Sequence, residues 1–233
     1  MLACLTLLSS CTTQTNMIKS LETTKKSILK IETWVSLHDC DEKTTTCPTD
    51  QILSTGTGTV VLHNHKKYVL TAAHICIQNY PGPGINVRFY FKAIDQNSKK
   101  YIIRIVNHDV TADICLLESV SGSLEPTYVP LSSKSLEYGE QVYNLAAPMG
   151  MIEEGMVPVF EGRYFGKYQG SAFFGMPAIG GSSGSPIVNF KGELVGMVHS
   201  VHYRFHHITL SATYQRLWNF LNVEKVRTTR DRN

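Results

Sequence analysis

A succession of short β-like runs with no helical pattern between them narrows the folds open to this chain more than anything else in it. Ile28–Leu37, Gly58–Leu62, Tyr68–Thr71, Asn86–Ala93, Tyr101–Asn107 and Ile114–Glu118 come first. Gln141–Ala146, Val157–Phe165, Ser185–Asn189, Leu194–His199 and His207–Leu210 follow. The runs are rich in Val, Ile, Tyr and Phe, and Gly, Pro, Asn or Asp punctuates them, which is the strand signature. Parallel strands need crossover helices, so the missing alternation argues against a βαβ architecture and predicts an all-β barrel or sandwich. His63–Lys67 and Asn189–Gly192 read as hairpin tips. Helical pattern is expected only at the end, where Ser211 reads as an N-cap and Tyr214, Leu217, Trp218 and Leu221 keep helical spacing.

Pro126–Gly139 lacks alternation and reads as a linker, residues 126–139, between an N-terminal half (28–125) and a C-terminal half with the terminal helix (140–222). The 233 residues suit one large or two small domains. The formal net charge of +3 comes partly from a basic tail, residues 223–233, and makes no case for nucleic acid as a partner. No apolar run reaches the roughly 20 residues that span a bilayer.

Residues 1–11 form a short apolar run ending Leu8-Ser9-Ser10-Cys11. It resembles the lipobox of bacterial lipoprotein signal peptides, although no Lys or Arg precedes it. That resemblance implies lipidation of Cys11, residues 12–27 as a tether, and an exported protein held at the outer or cell membrane, periplasmic or extracellular. Export suits the other cysteines. Cys40 and Cys47 bracket a polar stretch and are candidates for a disulfide closing a small loop. Cys76 and Cys115 lie in apolar strings. They read either as two buried thiols or as a bridge, the latter only if their strands lie side by side. No Cys-x-x-Cys occurs, so zinc-ribbon and thioredoxin-type readings fail.

Three segments carry chemistry. Gly180-Gly-Ser-Ser-Gly-Ser-Pro186 runs into a strand, and a serine in such a turn can be presented with backbone N–H groups aimed at one point. Thr71-Ala-Ala-His74 ends a short apolar strand; a serine hydroxyl needs a neighbouring base, and histidine suits that role near neutral pH. In Thr111-Ala-Asp113-Ile-Cys-Leu-Leu117 an aspartate enters an apolar strand, where an imidazole N–H is one partner that offsets its burial. Each segment alone has an ordinary structural explanation: a flexible loop, a structural histidine, a strand-capping acid.

Together, in the order His74, Asp113, Ser183 and spaced by 39 and 70 residues, they resemble the trypsin-like (chymotrypsin-fold) serine proteases, in the style of bacterial HtrA and glutamyl endopeptidases. Gly56-Thr-Gly-Thr-Val-Val61 resembles the family's strand before the histidine, and Tyr143-Asn-Leu-Ala-Ala-Pro-Met-Gly150 its Asn-Pro-x-Gly segment. Gly181-Ser-Ser-Gly-Ser-Pro186 resembles Gly-Asn-Ser-Gly-Gly-Pro, and Gly192-Glu-Leu-Val-Gly-Met-Val198 the strand that follows. The resemblance implies two six-stranded antiparallel β-barrels with a C-terminal α-helix, and a cleft holding His74, Asp113 and Ser183. It implies an oxyanion hole from the N–H groups of Gly181 and Ser183, protein or peptide substrates, and no cofactor or metal. Ser185 replaces a glycine, which makes Ser182 and Ser185 rivals to Ser183; spacing to Pro186 favours Ser183. Ser182 replaces the aspartate that pairs with a freed N-terminus in trypsin, so that activation switch is not expected.

By the same resemblance the substrate pocket draws on Pro177, Ala178, Val198, His199 and Ser200. No aspartate stands where a basic-P1 protease carries one. Alternation along the strand turns the His199 imidazole away from the pocket, toward Asp113 or the cleft edge. His199, His202, His206 and His207 are dense enough for a metal site, but no Cys or acid completes a zinc set, and a cleft loop of polar rings is the favoured reading. Tyr164-Phe165, Tyr168 and Phe173-Phe174 read as core or pocket lining. The expected function is a serine endopeptidase. An inactive trypsin-like binding module and an esterase with the same triad are the alternatives.

Overall fold

The computed structural model describes residues 3–37, 50–77 and 87–222, with backbone only for residues 3–13, 37 and 87. Cys40, Cys47 and the 223–233 tail lie outside the described residues, and Cys11 lies where only backbone is described. The first six strands are β1 (Ile28–Leu37), β2 (Gln51–His63), β3 (Lys66–Thr71), β4 (Val87–Asp95), β5 (Lys100–Asp109) and β6 (Ile114–Ser119). They close into an antiparallel barrel in the order β1-β2-β3-β6-β5-β4. The next six are β7 (Gln141–Leu145), β8 (Val159–Tyr168), β9 (Ser171–Gly175), β10 (Pro186–Val188), β11 (Leu194–His202) and β12 (Phe205–Ala212). They close a second barrel in the order β10-β11-β12-β9-β8-β7. The expected all-β, two-barrel architecture is the observed one.

Local chemistry explains the joins. Asn64 and His65 both adopt positive φ (47° and 61°) between the paired residues His63 and Lys66. That is the two-residue turn whose twist matches a hairpin. Gln169 and Gly170, at φ 49° and 82°, do the same between β8 and β9. Within β9, Ala172 and Phe174 are buried while Ser171, Phe173 and Gly175 are not, so one face looks into the second barrel.

The linker is stitched to both barrels. Val129 N–H donates to Val60 O in the first, and Leu194 N–H in the second donates to Pro130 O. A short helix, α2 (Ala73–Cys76), follows β3, and the terminal helix α3 spans Tyr214–Asn222. Thr213, rather than Ser211, stands at the start of α3: its carbonyl accepts from Leu217 N–H and its hydroxyl from Arg216 N–H. Ser211 belongs to β12, where its hydroxyl accepts from Met197 N–H. Leu217, Phe220 and Leu221 of α3 join a core cluster that holds residues of both barrels, and the buried His63 ring donates through Nδ1 to Leu221 O. The last helix therefore fastens the second half back onto the first.

The N-terminal region departs from the sequence expectation. Residues read as a polar tether are helical as far as Lys25, in α1 (Ala3–Lys25). Ser20, Thr23 and Thr24 satisfy their hydroxyls on carbonyls three or four residues back, which lets poor helix formers ride in a helix. Met17 and Leu21 pack against the core, and Thr24 is buried. The C-terminal half of α1 thus lies on the body of the protein. Among the described residues no helix is long and apolar enough to cross a membrane.

Candidate active site

β3 delivers His74. The strand ends at Thr71, Ala72 is extended, and α2 starts at Ala73, so His74 stands in the first turn of a four-residue helix. Asp113 closes the turn between β5 and β6. It adopts φ 54°, a left-handed conformation uncommon for a side chain other than glycine. In that pose its backbone carbonyl accepts from Ala73 N–H (3.1 Å). Its Oδ1 accepts from His74 N–H (2.8 Å), and Oδ2 lies 2.7 Å from the ring nitrogen His74 Nδ1. The pair is graded in exposure, with the His74 side chain 46% exposed and Asp113 24%. Burial alone would push the Asp113 carboxyl up. The His74 ring N–H, the His74 amide and the charges of His74 and His199 outweigh it and hold the carboxyl below its ordinary 3.8. Asp113 is thus an ionised acceptor that holds the ring of His74 with one oxygen and its backbone amide with the other.

The glycine- and serine-rich turn, residues 180–185, docks on the first barrel through Thr57. Thr57 of β2 binds it at two points: its N–H donates to Ser183 O (2.8 Å) and its hydroxyl to Gly181 O (2.7 Å). The same hydroxyl accepts from Ala147 N–H, and Thr57 O accepts from the Thr71 hydroxyl. Gly184 needs to be glycine here. Its φ is 87°, and a Cβ would stand 2.1 Å from Thr57 O. A Cβ on Gly56 would meet both the Ile75 side chain, at 2.9 Å, and Ser183 O, at 3.1 Å.

Within the turn the three serines separate by environment. Ser182 and Ser185 are fully buried, and Ser185 Oγ accepts from Asn144 Nδ2. Ser183 is partly exposed. Ser182 N–H donates to Ile179 O, Gly184 N–H to Val198 O and Ser185 N–H to Ser182 O. Among the described residues the N–H groups of Gly181 and Ser183 donate to no backbone acceptor. Gly180 N–H likewise has no backbone acceptor, so the two amides expected to form an anion cradle are two of three that the turn leaves without one.

His199 stands at a bulge between Val198 and Ser200 where β11 slips against β12. Its Nδ1 lies 2.9 Å from Ser200 Oγ, and Ser211 offers the ring a backbone hydrogen bond. Burial pushes its pKa below the ordinary 6.5, against the opposite pull of the Asp113 charge. The charges of Asp113 and His74 both act on the imidazole, and the bulge interrupts the regular alternation of the strand at this residue. Of the other residues expected to line a pocket, Ala178 and Val198 are buried, whereas Pro177 and Ser200 are exposed. His202, His206 and His207 belong to the outer end of the β11–β12 hairpin, where His202 stacks on Tyr203 and Phe205. Among the described residues no three His, Cys, Asp or Glu side chains gather as a metal site. Cys76 and Cys115 form a disulfide, with Cα atoms 6.6 Å apart, which resolves the two readings of that pair.

Thr57 and Asn144 are the site residues that sequence reasoning passed over. Both are uncharged residues inside quoted motifs, and only their hydrogen bonds reveal the docking of the turn.

Residues 56–197, more than half of the chain, match the model of the trypsin-like peptidase domain. The chain belongs to that family. It is a trypsin-like serine protease, and its fold is shared with solved proteases at low identity. The inactive form of Rv3671c from M. tuberculosis H37Rv superposes with a TM-score of 0.64 at 17% identity, covering 92% of this chain and 93% of that one. The active form of the same protease gives 0.64 at 19% identity, covering 92% and 86%. The serine endoprotease from Yersinia pestis gives 0.65 at 15% identity, covering 87% of this trypsin-like chain and 64% of that chain. No curated protein matches the sequence.

Proposed function

We propose that this trypsin-like protease is an endopeptidase whose nucleophile is Ser183, whose base is His74 and whose orienting carboxylate is Asp113. The observation that carries the assignment is Asp113 bound to both the ring and the amide of His74. With a proton on Nδ1 donated to Asp113 Oδ2, Nε2 is the nitrogen left to act as base. Ser183 is the partly exposed serine of its turn, so it is the one a substrate can reach. Its hydroxyl attacks the scissile carbonyl as Nε2 takes the proton. The proton returns to the leaving amine, and water then releases the acyl group from Ser183. The amides of Gly181 and Ser183 receive the oxyanion, each donor contributing about 3–4 kcal/mol to the barrier reduction.

The pocket residues Pro177, Ala178, Val198 and Ser200 carry no acid, so the pocket offers nothing to pair with a Lys or Arg side chain. The substrate is a protein or peptide met outside the cytoplasm, with the chain exported and tethered through lipidated Cys11. Intact-mass analysis of the membrane fraction tests the tether: a mature chain beginning at a lipidated Cys11 supports it, and any other start removes it. A proteome-derived peptide digest with wild type and Ser183→Ala tests the activity. Cleavage by wild type alone supports the reading. Hydrolysis of an ester panel without any peptide cleavage would point instead to an esterase, and loss of both to a binding module.

A further inference from the structure

The disulfide and the His74–Asp113 pair run in parallel. Cys76 follows His74 by two residues, Cys115 follows Asp113 by two, and the bridge spans a sequence separation of 39. Both cysteines are buried, Cys76 at 3% and Cys115 at 0% exposure.

The segment it holds is weak by itself. α2 has only four residues, far below the length at which a helix supports itself, and Ala72 gives it no side-chain cap. Three of its attachments end on Asp113: Ala73 N–H on the carbonyl, His74 N–H on Oδ1 and the His74 ring on Oδ2. Asp113 closes an exposed turn, with Val110 65% exposed, and its own backbone is left-handed. A histidine hung on such an aspartate shares whatever freedom the turn has. Cys115, by contrast, lies inside β6 and is paired on both sides, with Thr71 of β3 and His108 of β5. The bridge therefore ties the end of α2 to the middle of a sheet. The Thr33 hydroxyl, donating to Ile75 O, gives the same segment a second hold on β1.

We infer that Cys76 and Cys115 are positioning residues, a covalent brace that sets the His74 ring against the Asp113 carboxylate, rather than a general staple of the first barrel. The inference rests on the reading of His74 and Asp113 as base and orienting acid. A brace of this kind acts on the chemical step. Substrate binding, which uses the second barrel's strands, is left alone.

The test compares wild type with Cys76→Ala/Cys115→Val, which keeps an apolar pair in the space, and with Ile103→Ala, which hollows the same barrel away from the site. All three are assayed on one peptide substrate at a temperature where each is folded, and the downfield proton signal of the imidazole N–H bound to carboxylate is followed by NMR. The expected result is kcat lowered at least about tenfold in the double variant with KM within about twofold, and that proton signal broadened or lost. Ile103→Ala keeps both kcat and the signal. A double variant with wild-type kcat, or one whose loss equals that of Ile103→Ala at matched thermal stability, overturns the brace. A double variant that does not fold shows a general staple and also overturns it. Should wild type itself cleave no peptide while its downfield signal is intact, the proposed catalytic function fails; the brace is then judged on the signal alone, which must weaken in the double variant.

Discussion

Asp113 carries more of the site than its neighbours. It is an acceptor at three atoms, is held in a left-handed pose, and stays ionised despite partial burial. Asp113→Asn keeps the size and places an N–H or a weaker acceptor against the ring, favouring the wrong tautomer. The expected outcome is a folded protein with kcat down about 10⁴-fold, measured by steady-state peptide hydrolysis; a loss below tenfold contradicts its role. His199 makes a separate prediction. Its folded pKa lies below 6.5, so the folded state resists protonation more than the unfolded chain does. Its stability contribution is complete above 6.5 and is lost as pH falls from there through the lower folded value. His199→Gln removes that titration, so the drop in urea-unfolding free energy between about pH 7.5 and about pH 5 becomes smaller than in wild type. At this scale the sequence was legible for His74 and Asp113, whose types and order suffice. For the serine, spacing to Pro186 favours Ser183 over two rivals, but the bonds from Ile179 N–H and Asn144 to the buried hydroxyls of Ser182 and Ser185 are not contained in spacing.

The turn bearing Ser183 is shaped by an element of the other barrel. Thr57 joins Ser183 O, Gly181 O, Ala147 N–H and the Thr71 hydroxyl, all in a buried setting. Thr57→Val keeps the shape and the backbone bonds but leaves Gly181 O and Ala147 N–H unpaired. A loss of about 2–4 kcal/mol in stability is expected from two stranded buried groups, read by thermal or urea unfolding, with kcat reduced because the turn loses its dock. Unchanged stability would show that water replaces the hydroxyl without cost. Elements differ in how well their residues announce them. β1 is strongly patterned, and its observed span, Ile28–Leu37, is the expected one. β9 was hidden because Gln169-Gly170 is a less familiar tight turn than Asn-Gly. α1 was hidden because its Ser and Thr side chains favour other structures unless a docking surface orders them, as Met17, Leu21 and Thr24 do here.

At the scale of the whole molecule the bonds between the two barrels include the linker's to Val60 and Leu194, Thr57's at the turn, and that of α3 returning to His63. Such joining keeps residues from distant parts of the chain in one geometry. The barrel architecture was readable because short strands without crossover helices leave few alternatives. The fastening was not, because it consists of single hydrogen bonds between remote residues. The proposed function requires Ser183 to be a nucleophile made reactive by His74. A fluorophosphonate probe followed by peptide mapping tests it most directly. The account predicts one adduct, on Ser183, formed by wild type and strongly slowed by His74→Ala. An adduct on Ser182 or Ser185, or a folded wild type that takes no label, would contradict it.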